Sequence, residues 1–243
     1  MSAANSSDYN QNRVLIQANT SAASAGSNDL SATLRAHVND FALYNVDVRN
    51  LYTASQTIAL SAVGSQGYYA CRLQGYQNTL LTQDGTQLYS KTLITGAVDF
   101  IFGQRGRANF WKSDIRVVDR IWLTANGRND SQNAAMYFFN QCTVDKAASA
   151  PAQTVGNVCL GRPWRDFARV LWMPGLINAD GWVRWQPTGP APTNVQFLTF
   201  NNTGIDSSKF VNFSRELRAD ELQPFSMATV LNNNTAWIDR AFL

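Results

Sequence analysis

Short runs of apolar, β-branched and aromatic residues recur along the chain with turn-forming positions between them. They are Phe41–Val48, Thr57–Val63, Tyr68–Leu73, Thr79–Thr82, Gln87–Ile94, Phe100–Phe102, Ile115–Val118, Ala135–Phe139, Val170–Met173 and Val195–Phe200. Each run is long enough for a strand and too short for an independent helix. The one helical candidate is Ser214–Leu222, and no apolar pattern at helical spacing runs beyond about three turns. Residues 1–28 are rich in Ser, Ala and Asn around a single apolar run, Val14-Leu15-Ile16, and read as an irregular or capping segment. The pattern predicts an all-β chain.

The spacing of these runs says more. Tyr69–Asn78 aligns with Ser90–Asp99 at an offset of 21 residues, which sets Leu73 over Ile94, Gly75 over Gly96 and Asn78 over Asp99; Gln56 precedes Gln77 by the same step. A short-strand unit repeated every 20–25 residues or so is the mark of a solenoid, in which each coil stacks on the last about 4.8 Å away. Residues one repeat apart then become lateral neighbours. Gln56, the pair Gln77-Asn78 and Asp99 are expected to form a polar ladder on the outside of one sheet. A sandwich of hairpins is the alternative, but tight-turn dipeptides are limited to Asp84-Gly85, Asn126-Gly127 and Asp180-Gly181.

Composition narrows the function. Of 243 residues, 45% are hydrophobic and 15% charged, enough apolar material for a packed core in one domain spanning 1–243. The net charge is +3, with 20 Lys+Arg scattered rather than clustered. Nucleic-acid binding needs clustered cations and is not indicated. No stretch reaches the roughly 20 apolar residues of a membrane span. Three cysteines without a Cys-x-x-Cys pattern are compatible with one disulfide or with buried free thiols, and not with a metal site of that type. The lone His37 would have to serve any Ser–His pair; its ordinary reading is a strand-face or loop residue. Six Asn-x-Ser/Thr sequons, at Asn5, Asn19, Asn129, Asn201, Asn212 and Asn233, suit a secreted glycoprotein.

The candidate chemistry lies on the ladder and in one loop. Asp99 stands in Val98-Asp99-Phe100-Ile101-Phe102-Gly103. Apolar neighbours raise a carboxyl pKa unless a cation or hydrogen bonds hold it ionised, and a carboxylate so held can act as a nucleophile. Arg162, in Leu160-Gly161-Arg162-Pro163-Trp164, carries a planar fork that grips a carboxylate in two places. Gln56 and Gln77 can aim two amide donors at a developing oxyanion, or form a structural side-chain ladder. Trp164, Trp182 and Trp185 lie near the Arg162 loop in sequence and could stack on sugar rings or belong to the core.

Four strings in order, Gln56-Thr-Ile-Ala-Leu60, Gly75-Tyr-Gln77-Asn78-Thr-Leu80, Ile94-Thr-Gly-Ala-Val-Asp99-Phe-Ile-Phe-Gly103 and Leu160-Gly-Arg162-Pro-Trp164, resemble the motif set of the pectin methylesterases, fungal members in particular. Gly181-Trp182-Val-Arg-Trp185 resembles a further element of that family. The resemblance runs from about residue 10 to the end of the chain. It implies a right-handed parallel β-helix, no metal and no other cofactor, a secreted monomer, and pectin as the partner rather than nucleic acid or membrane. It also implies hydrolysis of galacturonate methyl esters, with a role in plant cell-wall modification or breakdown. Asp99 would be the nucleophile, Gln56 and Gln77 the oxyanion donors, Arg162 the residue that orients the nucleophile, and Trp164 and Trp182 the aromatic contacts to the sugar chain.

Two departures stand against the family pattern. Where the family carries an aspartate that acts as general acid and then general base, this chain has Asn78. An amide keeps the shape but does not titrate, and loss of such a group typically costs about 10²–10⁴ in rate. Asp84 is the nearest stand-in by sequence, in an expected turn. The family also carries two or three further coils and a signal peptide ahead of the point matching residue 10, so coils are expected to be lacking at that end. Asn78 opens a second reading, a non-catalytic pectin-binding β-helix. A lyase is disfavoured by the lack of clustered acids for calcium, and a glycosidase by the lack of paired carboxylates on the ladder.

Overall fold

The structure is a computed structural model that describes residues 6–154, 158–185, 188, 191–205, 208 and 210–243. Its strands are β1 (Val14–Ala18), β2 (Leu34–His37), β3 (Phe41–Tyr44), β4 (Val46–Asn50), β5 (Leu60–Val63), β6 (Gln66–Tyr69), β7 (Arg72–Gln74), β8 (Leu80–Asp84), β9 (Thr86–Ser90) and β10 (Leu93–Gly103). They continue as β11 (Arg107–Trp111), β12 (Asp114–Asn126), β13 (Met136–Asn140), β14 (Thr143–Lys146), β15 (Val158–Pro163), β16 (Arg169–Trp172), β17 (Leu176–Ile177), β18 (Gln196–Thr199) and β19 (Ser214–Glu216). All described ladders are parallel. The chain is a parallel β-helix of about 6 turns, and the hairpin sandwich is excluded.

One sheet has eight strands in the order β19-β18-β16-β13-β11-β9-β6-β3. The other has eleven, because the long strands β10 and β12 run through a corner of the coil and join two faces into one sheet. The 21-residue step is the coil: Leu73 pairs with Ile94 and Ile94 with Ile115. Inside, the stacking of successive coils builds an aromatic column. Tyr68, Tyr89, Phe110, Phe139 and Trp172 stack with centroids 5.0, 4.9, 4.3 and 3.7 Å apart and planes within 13° of parallel. Beside it, Cys71, Thr92, Ser113 and Cys142 each donate to a carbonyl of the preceding coil, on Leu43, Tyr68, Tyr89 and Phe110. Two of the three cysteines are thus ladder donors. Cys71 and Cys142 are free thiols, and burial pushes both up to about 12.

Two expectations are corrected. Residues 1–28 are not merely irregular: Val14–Ala18 forms β1, paired in register with Val46–Asn50. Ser214–Leu222 is not a helix. Ser214–Glu216 is strand β19, a 3-10 turn follows at Ala219–Glu221, and the pairing with β18 overrides the local helical pattern. Beyond β19 the chain lies across the outer face of the eight-stranded sheet. Leu217, Val230, Leu231, Ile238 and Phe242 pack on Leu198, Leu171, Phe138, Leu88 and Tyr69, which belong to five different coils. Arg107 donates to the carbonyls of Thr229 and Val230, and Ser90 to that of Phe242, holding this strap down.

Candidate active site

The site is built at the corner through which β10 passes. Register slips between Gly96 and Val98 and again between Val98 and Ile101, and Asp99 stands inside the slip with φ 45°. One coil earlier Asn78 has φ 67°, and its amide donates to the Val98 carbonyl at 3.0 Å. Both residues therefore occupy the same left-handed kink, a conformation that Asn and Asp tolerate better than other side-chain-bearing residues. The kink breaks the two-residue pleat. The polar ladder accordingly follows the corner and not the flat outer face of a sheet: Gln56 lies outside any strand and Gln77 makes only an isolated bridge to Val98. Thr57 N–H bonds the Gln77 carbonyl at 3.1 Å, so the three coils still stack. Gln56 is exposed and Gln77 half-buried, and among the described residues no hydrogen bond holds either side-chain amide.

Asp99 and Arg162 meet as the motifs suggested. Arg162 Nε lies 3.0 Å from Asp99 Oδ1 and Nη2 lies 2.6 Å from Oδ2, a two-point grip. The guanidinium is sandwiched between the rings of Trp122 and Trp185, at 3.6 and 3.9 Å from their centroids. The rings fix its plane, so the Nε–Nη2 edge faces the carboxylate. Burial pushes the Asp99 carboxyl above its ordinary range, against the opposing hydrogen bonds and charge of Arg162. Among the described residues Arg162 is the charge acting on Asp99. Asp84 does not reach it; that carboxylate pairs with Arg105 at 2.8 Å.

Asn78 is 5% exposed. Its Nδ2 donates to the Asp99 carbonyl at 3.2 Å, while its buried Oδ1 has no partner among the described residues. Beside the pair, Ile58, Leu81, Phe102 and Ala125 form an apolar cluster against which Trp164 and Trp185 pack, with Trp164 tilted on Phe102 at 6.3 Å.

Trp182 is a correction. It is 1% exposed, lies in the central core, and stacks on Phe197 at 4.0 Å, so it has no face to offer a sugar. Trp185, three residues on, is the tryptophan of that string that stands at the site. Trp122 was missed altogether. Its signal was register: it sits opposite Val98, the residue before Asp99, one coil later.

The lone histidine forms no triad. Ser61 Oγ donates to Asp29 at 2.5 Å, and His37 Nε2 stands 3.1 Å from Ser61 Oγ and 3.2 Å from the same Asp29 oxygen. In a triad the serine and the acid bind opposite ring nitrogens. Here they share one, and Ser61 is fully buried. Among the described residues no group of three or more His, Cys, Asp or Glu is placed to hold a metal ion. No helix among them is long and apolar enough to cross a membrane.

The corner thus holds a buried acid gripped by a stacked arginine beside an apolar aromatic wall. The family model for pectinesterase matches residues 8–234. The chain belongs to the pectinesterase family. Its members are carboxylic ester hydrolases. A pectinesterase from Aspergillus niger is 38% identical over 247 residues, covering 97% of this chain and 73% of the relative. The solved pectin methylesterase from Aspergillus niger, in deglycosylated form, superposes with a TM-score of 0.87 at 33% identity, over 98% of this chain and 79% of that one. A pectin methylesterase solved in complex with a hexasaccharide shares the fold, at 20% identity and TM-score 0.74 over 90% of this chain and 80% of that one.

The pectinesterase motif around Arg162 depends on its preceding glycine. Gly161 has φ 152°, and a Cβ there would come 2.0 Å from Thr124 Oγ1 and 2.5 Å from the Thr124 carbonyl oxygen. Gly161→Ala is expected to cost about 1–3 kcal/mol of stability by backbone strain. Denaturant titration checks this, and an unchanged midpoint would show that Thr124 yields.

Proposed function

We propose that this chain hydrolyses galacturonate methyl esters of pectin, releasing methanol, with Asp99 as nucleophile and with turnover impaired by Asn78. The observation that carries the reading is the Asp99–Arg162 grip, 3.0 and 2.6 Å, locked between Trp122 and Trp185. An Asp99 oxygen attacks the ester carbonyl carbon, and Gln56 and Gln77 donate to the oxyanion that forms. The C–OCH₃ bond breaks, and the leaving methoxide takes a proton to become methanol. Water then attacks the acyl carbon of the resulting anhydride, freeing the galacturonate and Asp99 carboxylates and releasing two protons, one of which replaces the proton that methanol took. Trp164 and Trp185 offer apolar faces to the sugar chain. Asn78 can orient water or a leaving group by hydrogen bonding, but neither gives nor takes the two protons.

Asn78 also favours a second reading, a pectin-binding β-helix without turnover. Methanol release from highly esterified pectin separates the two, comparing the chain with Asn78→Asp. Strong activation supports the esterase. Equal activity in both proteins removes the role given to position 78, and two folded but inert proteins that still bind pectin support the binding module. Secretion and glycosylation fit the same reading: the sequons at Asn19, Asn129, Asn201, Asn212 and Asn233 are all exposed, while Asn5 lies outside the described residues. The 1–243 chain is taken as one domain acting as a monomer on cell-wall pectin.

A further inference from the structure

Away from Asp99, two arginines gather around one pocket. Arg128, in the loop after β12, is 4% exposed, and among the described residues its guanidinium donates to the carbonyls of Ser131, Asn133 and Phe167. Arg169, at the start of β16, gives its Nε to Gln196 Oε1 at 2.6 Å, and no hydrogen bond among the described residues engages its two Nη groups. Both arginines line a pocket of about 440 Å³ with Phe167, Thr193, Asn194 and Gln196, and no carboxylate among the described residues lines it. Burial, and then the charges of Arg128 and Arg107, pull the Arg169 guanidinium down to about 10. Asp130, whose charge reaches Arg128, is exposed and accepts the amides of Gln132 and Asn133 in its own turn.

A half-buried cation repelled by two others, with no carboxylate among the described residues lining its pocket, is an unfavourable arrangement until an anion arrives. The free Nη edge of Arg169 is a planar fork of the kind that takes an oxyanion in two places. The pocket volume falls in the range of small-ligand sites, about 300–1,000 Å³. We propose that this pocket binds the carboxylate of an unesterified galacturonate unit, a second anchoring site for partly demethylated polymer. That choice of polymer rests on the pectin reading above; the oxyanion chemistry does not. The loop Trp164–Phe167 joins the two places, since Trp164 packs beside the Asp99 strand and Phe167 lines the pocket.

The test titrates the chain, Arg169→Gln and Gln196→Glu with three probes: unesterified oligogalacturonate, its fully methyl-esterified form, and sodium sulfate. Gln196 is exposed, so Gln196→Glu folds and places an internal carboxylate on the Arg169 fork. The unesterified oligomer is expected to bind at least tenfold more weakly to both variants, and the esterified oligomer equally to all three proteins. Equal affinity of the unesterified oligomer for all three proteins overturns the site. Arg169-dependent binding of sulfate without such dependence for the oligomer overturns the polymer as ligand and leaves a small-anion site. If the esterified oligomer binds none of the proteins while the unesterified one still depends on Arg169, the pectinesterase reading fails and the pocket stands.

Discussion

Asn78→Asp is expected to raise methanol release from esterified pectin at least about a hundredfold, within the 10²–10⁴ that a general acid–base group supplies. The backbone accepts the change, because Asp tolerates the left-handed φ of 67° as Asn does. The hydrogen-bond geometry also sets the protonation state. Asn78 Nδ2 faces the Asp99 carbonyl oxygen at 3.2 Å. An aspartate oxygen in that place meets a lone pair and is comfortable only as O–H, donating to it. Burial acts in the same direction. The introduced carboxyl is therefore held as an acid above the ordinary range, ready to protonate methoxide and then to accept a proton from water. The expected pH profile of the variant is a bell: an acid limb from Asp99, which must be ionised, and a basic limb from position 78, which must be protonated. The Asn78 amide does not titrate and so supplies no such limb. Activation without a new basic limb would show that the gain comes from some other rearrangement.

Arg162→Ala carries the second large effect, on stability and on pH dependence together. It removes the arginine charge acting on a carboxyl that is 6% exposed and empties the space between Trp122 and Trp185. Removing one partner of a buried pair costs about 3–5 kcal/mol. Without Arg162 the folded-state pKa of Asp99 rises further. A raised carboxyl pKa means that the native state holds a proton which the unfolded state has lost, so stability falls as pH rises through that window. The deficit of the variant should be largest near neutrality and shrink below about pH 4, where the unfolded carboxyl is protonated too. Denaturant midpoints across pH check this; a deficit independent of pH would mean that packing between the tryptophans, not charge, is what Arg162 supplies. In the Asn78→Asp background the acid limb of activity should move upward by the same substitution.

Much of this was legible in the residues. The 21-residue step predicted the stacking of Leu73 on Ile94 and of Asn78 on Asp99, because a solenoid converts sequence period directly into neighbourhood. The string around Arg162 identified the partner of Asp99, since few residue types can grip a carboxylate at two points. What could not be read was direction. Trp182 and Trp185 lie three residues apart, and only an isolated bridge between Trp182 and Gly161 decides which ring enters the core. Trp122 was hidden because the register slip in β10 shifts its partner from the simple 21-residue spacing. The helical pattern at Ser214–Leu222 failed because pairing with β18 outweighs local propensity.

The strap that follows β19 changes how the molecule holds together. In a plain solenoid each coil touches only its neighbours, so unfolding can fray coil by coil from either end. Here Phe242 lies against Tyr44 and Tyr69 near the first coils, while Leu217 packs with Leu198 near the last. One segment thus bridges rungs that the stack itself leaves thermodynamically remote. Coils near either end cannot loosen without lifting the strap from the rest, so local opening becomes a shared event and the array gains the all-or-none character of a globular domain.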